Sequence, residues 1–169
     1  SVVHTTINGL GEFSGLAATE EFAAAIDMHS KISLGLNYSK LHEASNLVSK
    51  ITGIKTPPFK PITGKSALAI PETEETQEFM YNLNLENKID EGMPIPPHLI
   101  GKNVKFSIGK KCNEFTVLYN LKECGYEISN REAKIIAKEV RRRLSTRNKY
   151  CLITQNDLVN IYLKIKDKL

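Results

Sequence analysis

The sequence predicts a mixed α/β fold: a strand, a glycine-rich loop and a helix at the front, then a mainly helical remainder. Three observations point there. Val2-Val3-His4-Thr5-Thr6-Ile7 is rich in β-branched residues and runs into Gly9, Gly11 and Gly15, the pattern of a strand leading into a sharply punctuated loop. Over Tyr38 to Ile51, and again through the tail, apolar residues recur at the three- and four-residue spacing of a helix face. Ser129 stands three residues ahead of Glu132, which is the spacing of a capping box.

The elements follow in chain order. Thr19 precedes Glu20, Glu21 and the alanine-rich run Phe22 to His29, so a helix is expected with Thr19 as its cap and acids near its positive end. Leu41, Ala44, Leu47, Val48 and Ile51 form one face of a second helix that Gly53 stops. Pro57, Pro58 and Pro61 remove backbone donors and disfavour helix before each proline, so residues 55–64 read as an extended linker. The chain is thereby divided into 1–54 and 55–169. Pro71 and Thr73 open a helix through Gln77, Phe79 and Met80. Pro94, Pro96 and Pro97 mark a loop before a short helical turn at His98 to Ile100, and Val104 to Ile108 reads as extended. Asn113 to Cys124 is a helix stopped by Gly125. The capping box opens the next, to about Leu144, with Ala133, Ile136, Ala137, Val140 and Leu144 on its apolar face. Thr154 begins the last, striped by Leu158, Ile161, Tyr162, Ile165 and Leu169.

Composition narrows the function classes. At 169 residues and 41% hydrophobic content, one sizeable core is expected. Lys and Arg total 23 against 19 acids, a net charge of +4 too mild to imply a nucleic-acid or membrane partner. The basic run Arg141-Arg142-Arg143 with Arg147 and Lys149 falls at a helix C-terminus, where cations favour the dipole. Cys112, Cys124 and Cys151 are odd in number and form no CxxC pair, so reduced thiols in a cytoplasm are expected rather than a disulfide framework. No apolar run approaches a membrane span, and the start lacks the pattern of a signal peptide. His4, His29, His42 and His98 are scattered, so no metal site is expected from this chain alone.

Chemistry concentrates in Thr5-Thr6-Ile7-Asn8-Gly9-Leu10-Gly11-Glu12. An acid on a Gly-x-Gly turn just after a strand can face a ligand, because glycine lets the backbone approach closely. The plainer reading is a strand-to-helix turn with a solvated Glu12. The octapeptide resembles the last barrel strand and loop of the family containing homocitrate, isopropylmalate and citramalate synthases, where Thr, Gly-x-Gly-Glu-Arg and Gly-Asn are typical. Lys60-Pro61-Ile62-Thr63-Gly64-Lys65-Ser66-Ala67-Leu68 resembles the family's linker after the barrel. Pro97 to Gly101, then Ser107-Ile108-Gly109-Lys110, resemble its Pro-x-x-x-Gly and Leu-Gly-Lys segments. These matches are collinear over nearly the whole chain.

The resemblance implies an α/β fragment: residues 1–54 as the last strand and helix of a (β/α)8 barrel, residues 55–169 as the linker and mainly α-helical C-terminal region. It implies condensation of acetyl-CoA with a 2-oxo acid on a divalent metal, with Glu12 catalytic and Thr6, Asn8, Gly9 and Gly11 binding substrate. The family's His-x-His metal pair lies before the last strand. The divalent metal is therefore expected in a partner, a larger, alpha-type homocitrate synthase subunit, and none on this chain alone. The reaction so implied joins acetyl-CoA to 2-oxoglutarate, giving homocitrate for the nitrogenase iron-molybdenum cofactor in nitrogen fixation. Isopropylmalate or citramalate synthesis, and a non-catalytic regulatory subunit, are the alternatives.

Departures from the family pattern support the last alternative. Phe13 stands where Arg is usual and Leu16 where Asn is usual. Thr73-Glu74-Glu75 replaces a Gly-Ile-His whose histidine has an acid/base role, and Lys111-Cys112-Asn113 replaces His-Ser-Gly. A carboxylate such as Glu75 takes over proton transfer near neutral pH only where burial raises its pKa.

Overall fold

Helix α1 (Thr19–His29) buries Ala23 and Ala24 and is followed by α2 (Leu41–Thr52), which Gly53 ends in the left-handed conformation at φ 74°. These lie in a computed structural model that describes residues 2–30, 32–70, 73–98, 100–146 and 151–166. The chain splits into two compact units, Ser1–Leu68 with Met93–Asn103 and Ala69–Gly92 with Val104–Leu169. Residues 55–64, read as a linker from the sequence, lie in the first of these units.

The first unit has a small core of Ala24, Leu41, Ile62, Leu68 and Ile100, with Tyr38, Met93 and Ile95 against it. Its front departs from expectation. Val2 to Thr5 forms no strand; Thr6 alone makes a parallel bridge, to Ala18, and Ile7–Gly9 is a 3-10 turn. A strand is stable only where neighbouring strands take its backbone groups, and the described residues of this unit offer one bridge. Thr19 is not the cap: Ala18 holds that position, and the Thr19 hydroxyl donates to Thr5 Oγ1 at 2.9 Å. The expected apolar face of α2 is half realised, with Leu41 buried and Leu47 and Ile51 56% and 75% exposed.

Pro58 to Ser66 folds back on itself rather than extending. Gly64 N–H donates to Lys60 O at 2.9 Å and Ser66 N–H to Pro58 O at 2.8 Å. A Cβ on Gly64 would overlap those two carbonyls, so only glycine fits there. Lys102 Nζ donates to Ile62 O and Gly64 O, each at 3.1 Å, fastening the 93–103 segment to this loop.

In the second unit, β1 (Ala69–Ile70) pairs in parallel with β2 (Lys105–Phe106), Ala69 opposite Lys105 and Ile70 opposite Phe106. Helix α3 (Glu74–Leu85) packs on β1 and on α4 (Glu114–Glu123), while α5 (Asn130–Ser145) and α6 (Gln155–Ile165) pack on α4 and on each other. Every member of the expected α5 face is at most 2% exposed, and Val117, Leu121, Leu158 and Ile161 complete the core. Fully burying such side chains stabilises by about 1.5–3 kcal/mol each. Ser129 with Glu132 and Thr154 with Asp157 both form complete capping boxes. Leu169 and the basic residues Arg147 and Lys149 lie outside the described residues, as does Leu99 of the expected turn at His98 to Ile100. Among the described residues no helix is long and apolar enough to cross a membrane.

Candidate functional site

The loop that carries the candidate residues is closed at its base by Thr6. Its N–H donates to Ala17 O at 3.0 Å, and its carbonyl accepts from Thr19 N–H at 2.9 Å and Gly9 N–H at 3.1 Å. The Thr6 hydroxyl is buried with no hydrogen-bond partner. Asn8 and Gly9 then take consecutive positive φ values, 62° and 69°, within a turn closed by Gly9 N–H to Thr6 O and Leu10 N–H to Ile7 O. Gly11 and Glu12 are exposed.

Leu16 fills the inside of this loop. A Cβ on Gly11 would collide with its Cδ1, and one on Gly9 would come within 3.0 Å of its carbonyl oxygen. Leu16, where the family pattern has Asn, thus sets an apolar side chain against the Gly11 backbone. Phe13, in place of the family's Arg, is 69% exposed.

The Asn8 side chain is hydrogen-bonded to α2, and the residue also lines a cleft beside the turn. Its Nδ2 donates to Ser45 O at 3.0 Å and Ser49 Oγ at 3.3 Å, and its Oδ1 accepts from Ser45 Oγ at 2.5 Å. Thr56 Oγ1 closes the chain against Ser49 Oγ at 2.8 Å. Asn8 N–H donates to both carboxylate oxygens of Glu20, at 3.0 and 3.1 Å. Glu20 is fully buried; Lys60 Nζ lies 3.7 Å from it and also pairs with Glu21. Beside the Asn8 turn is an open cleft of about 620 Å³, walled by Ile54, Pro57, Phe59 and Pro61, with Glu21 and Lys60 on its polar side.

Thr6, Asn8, Gly9, Gly11 and Glu12 thus share one loop, as the sequence indicates. Missed were Glu20, Ser45, Ser49, Thr56 and Lys60. One signal for Glu20 was present: it precedes Ala23 and Ala24 by three and four residues and so shares their buried helix face.

In the second unit, the two other stretches that depart from the family pattern meet. Thr73, Glu74 and Glu75 face Lys110, Lys111, Asn113 and Arg141 across a polar cleft of about 530 Å³. It holds acids and bases but no histidine. The arginine run is engaged: Arg141 Nη1 donates to Cys112 O at 2.5 Å, while Arg142 and Arg143 donate to Glu139 at 2.7–2.8 Å. Those bonds hold the Glu139 carboxyl down at about 2. Among the described residues no three His, Cys, Asp or Glu side chains converge as metal ligands.

No family model matches the chain. Curated proteins do. The probable 2-isopropylmalate synthase of Ignicoccus hospitalis is 34% identical over 82% of this chain and 33% of its own length. The putative (R)-citramalate synthase of Methanopyrus kandleri is 31% identical over 92% of this chain and 29% of its own. The 2-isopropylmalate synthase of Methanocaldococcus jannaschii is 37% identical over 75% and 23%. This chain is homologous to one part of the 2-isopropylmalate and citramalate synthases. It spans a third or less of the length of these relatives. The relatives support the family resemblance, and none of the three is a homocitrate synthase.

Proposed function

We propose that this chain is one portion of an acyl-CoA-condensing synthase of the isopropylmalate and citramalate type, which joins acetyl-CoA to a 2-oxo acid. A polypeptide bearing the rest of the barrel and its divalent metal completes it. Residues 1–54 are the end of that barrel, Glu12 acts at its mouth, and Thr6, Gly9 and Gly11 shape the substrate side of the loop. The observation that carries this reading is similarity over 82% of the chain to a synthase of which it spans 33%. Homocitrate synthesis from 2-oxoglutarate is the narrower form of the proposal.

The test is to combine the chain with a barrel-bearing polypeptide and measure CoA release. Pyruvate, 2-oxoisovalerate and 2-oxoglutarate are offered in turn, the acids whose acetyl adducts lead to citramalate, isopropylmalate and homocitrate. Release with one of them is expected, and Glu12→Gln should reduce kcat by about a hundredfold while Glu75→Gln has a small effect. Equal loss in the two variants removes the assignment of Glu12. The histidine-free cleft at Glu75 favours a second reading, a non-catalytic subunit, which predicts that Glu12→Gln leaves CoA release unchanged.

A further inference from the structure

We infer that Glu20, with Lys60, is a positioning residue for the Gly9–Glu12 loop, and this rests on the proposal that the loop is catalytic. Glu20 is a fully buried carboxylate whose two oxygens both accept the N–H of Asn8. A buried charge is tolerated only when paired and hydrogen-bonded, and Lys60, with its side chain 14% exposed, supplies the counter-charge. Asn8 is held in a left-handed conformation that asparagine tolerates better than other non-glycine residues but that still costs more than it does for glycine. Three elements impose it. Helix α1 holds its N–H through Glu20, α2 holds its side chain through Ser45 and Ser49, and the 58–66 loop holds Glu20 through Lys60.

The conformation so enforced has a direct product. Asn8 and Gly9, both at positive φ, turn the chain at the base of the segment that ends in Glu12. A plain turn would be met by glycine at position 8 without any buried ion pair. Here a charged pair and five hydrogen bonds are directed at one residue of positive φ, the pattern of backbone strain maintained beside a functional group. Glu20 touches neither Glu12 nor the cleft surface and acts through Asn8.

Glu20→Gln keeps the side-chain shape but loses one acceptor oxygen and the ion pair, and Lys60→Met removes the counter-charge from outside. Amide hydrogen exchange of the chain and kcat and KM of the assembled enzyme are measured for both. The expected result is exchange at Asn8 to Gly11 faster by roughly tenfold or more, with α5 unchanged. kcat should fall between about tenfold and a hundredfold with the acetyl-CoA KM within about twofold. In an Asn8→Gly background, where positive φ carries no strain, Glu20→Gln should cost markedly less kcat. Uniform acceleration of exchange across α1 and α2, with no selective effect at residues 8–11 in either variant, would make Glu20 a stability group and overturn the inference. Selective loop exchange with unchanged kcat overturns it too. If the unsubstituted assembly releases no CoA, the functional reading fails by itself, and exchange still decides whether Glu20 sets the loop.

Discussion

Gln77 and Thr116 are both fully buried, so their polar atoms have no recourse to water. The Thr116 hydroxyl donates to Gln77 Oε1, Thr116 N–H donates to Asn113 Oδ1 at 3.0 Å, and Gln77 Nε2 reaches Ser107 O at 3.5 Å. Thr116→Val keeps the shape and leaves the Gln77 oxygen unpaired, which should lower stability by about 1–3 kcal/mol. A urea midpoint equal to that of the unsubstituted chain would show that another donor replaces the hydroxyl. Thr116→Ser should lie between the two. The same logic separates what was legible at residue scale from what was not. Glycines at Gly9 and Gly11 announced a tight loop because their chemistry is local. The partners of Asn8 and Glu20 were not legible, since pairing a buried acid with an N–H twelve residues away depends on packing, not on spacing.

Helix boundaries of the second unit follow from local chemistry, which is why the sequence located α4 to α6 closely. Asn113, Ser129 and Thr154 each accept an N–H three residues on, and Gly125 takes φ 83° beyond α4. Strands were read less well for the opposite reason: Val2 to Ile7 has strand composition but lacks neighbours, and the two residues of β1 are too few to show a period. Within α5, Glu139 binds both Arg142 and Arg143 and its carboxyl is held at about 2, below the ordinary 4.5. A carboxyl depressed on folding adds stability that is fully present above the ordinary value and is lost as pH falls through the folded one. The stability gap between the parent chain and Glu139→Gln should therefore narrow from pH 4.5 to about 2. Because Arg142 is 71% exposed, solvent and salt should keep the gap modest. A gap that stays constant across that range in urea titrations would mean the ion pairs do not stabilise α5.

The two units differ in how completely they bury their own apolar residues. In the second, α4, α5 and α6 enclose a continuous core, and Phe79 and Leu85 are its large hydrophobics more than half exposed among the described residues. In the first, Val2, Val3, Phe13, Ile32, Leu47, Ile51, Ile54 and Phe59 all are. On the proposed reading, these exposed apolar residues belong to the face that the rest of the barrel covers. That the 93–103 segment joins this unit through Lys102 had no local signal in the sequence. On the proposal that a barrel-bearing polypeptide completes the enzyme, Val3 to Ile7 should acquire strand neighbours and the exposed residues of α2 should be covered. Hydrogen exchange at Val3 to Ile7 should be fast in the chain alone and slow by at least about a hundredfold on mixing. Amides of α5 and α6 should be protected from the start, since their core is already closed. Without the partner the chain should self-associate at high concentration through its apolar residues, and light scattering should show the association disappear on mixing. A lone chain that stays monomeric, with exchange at Val3 to Ile7 unaltered by any barrel-bearing partner, would mean that the segment is an irregular terminus and that the first unit is complete without a barrel.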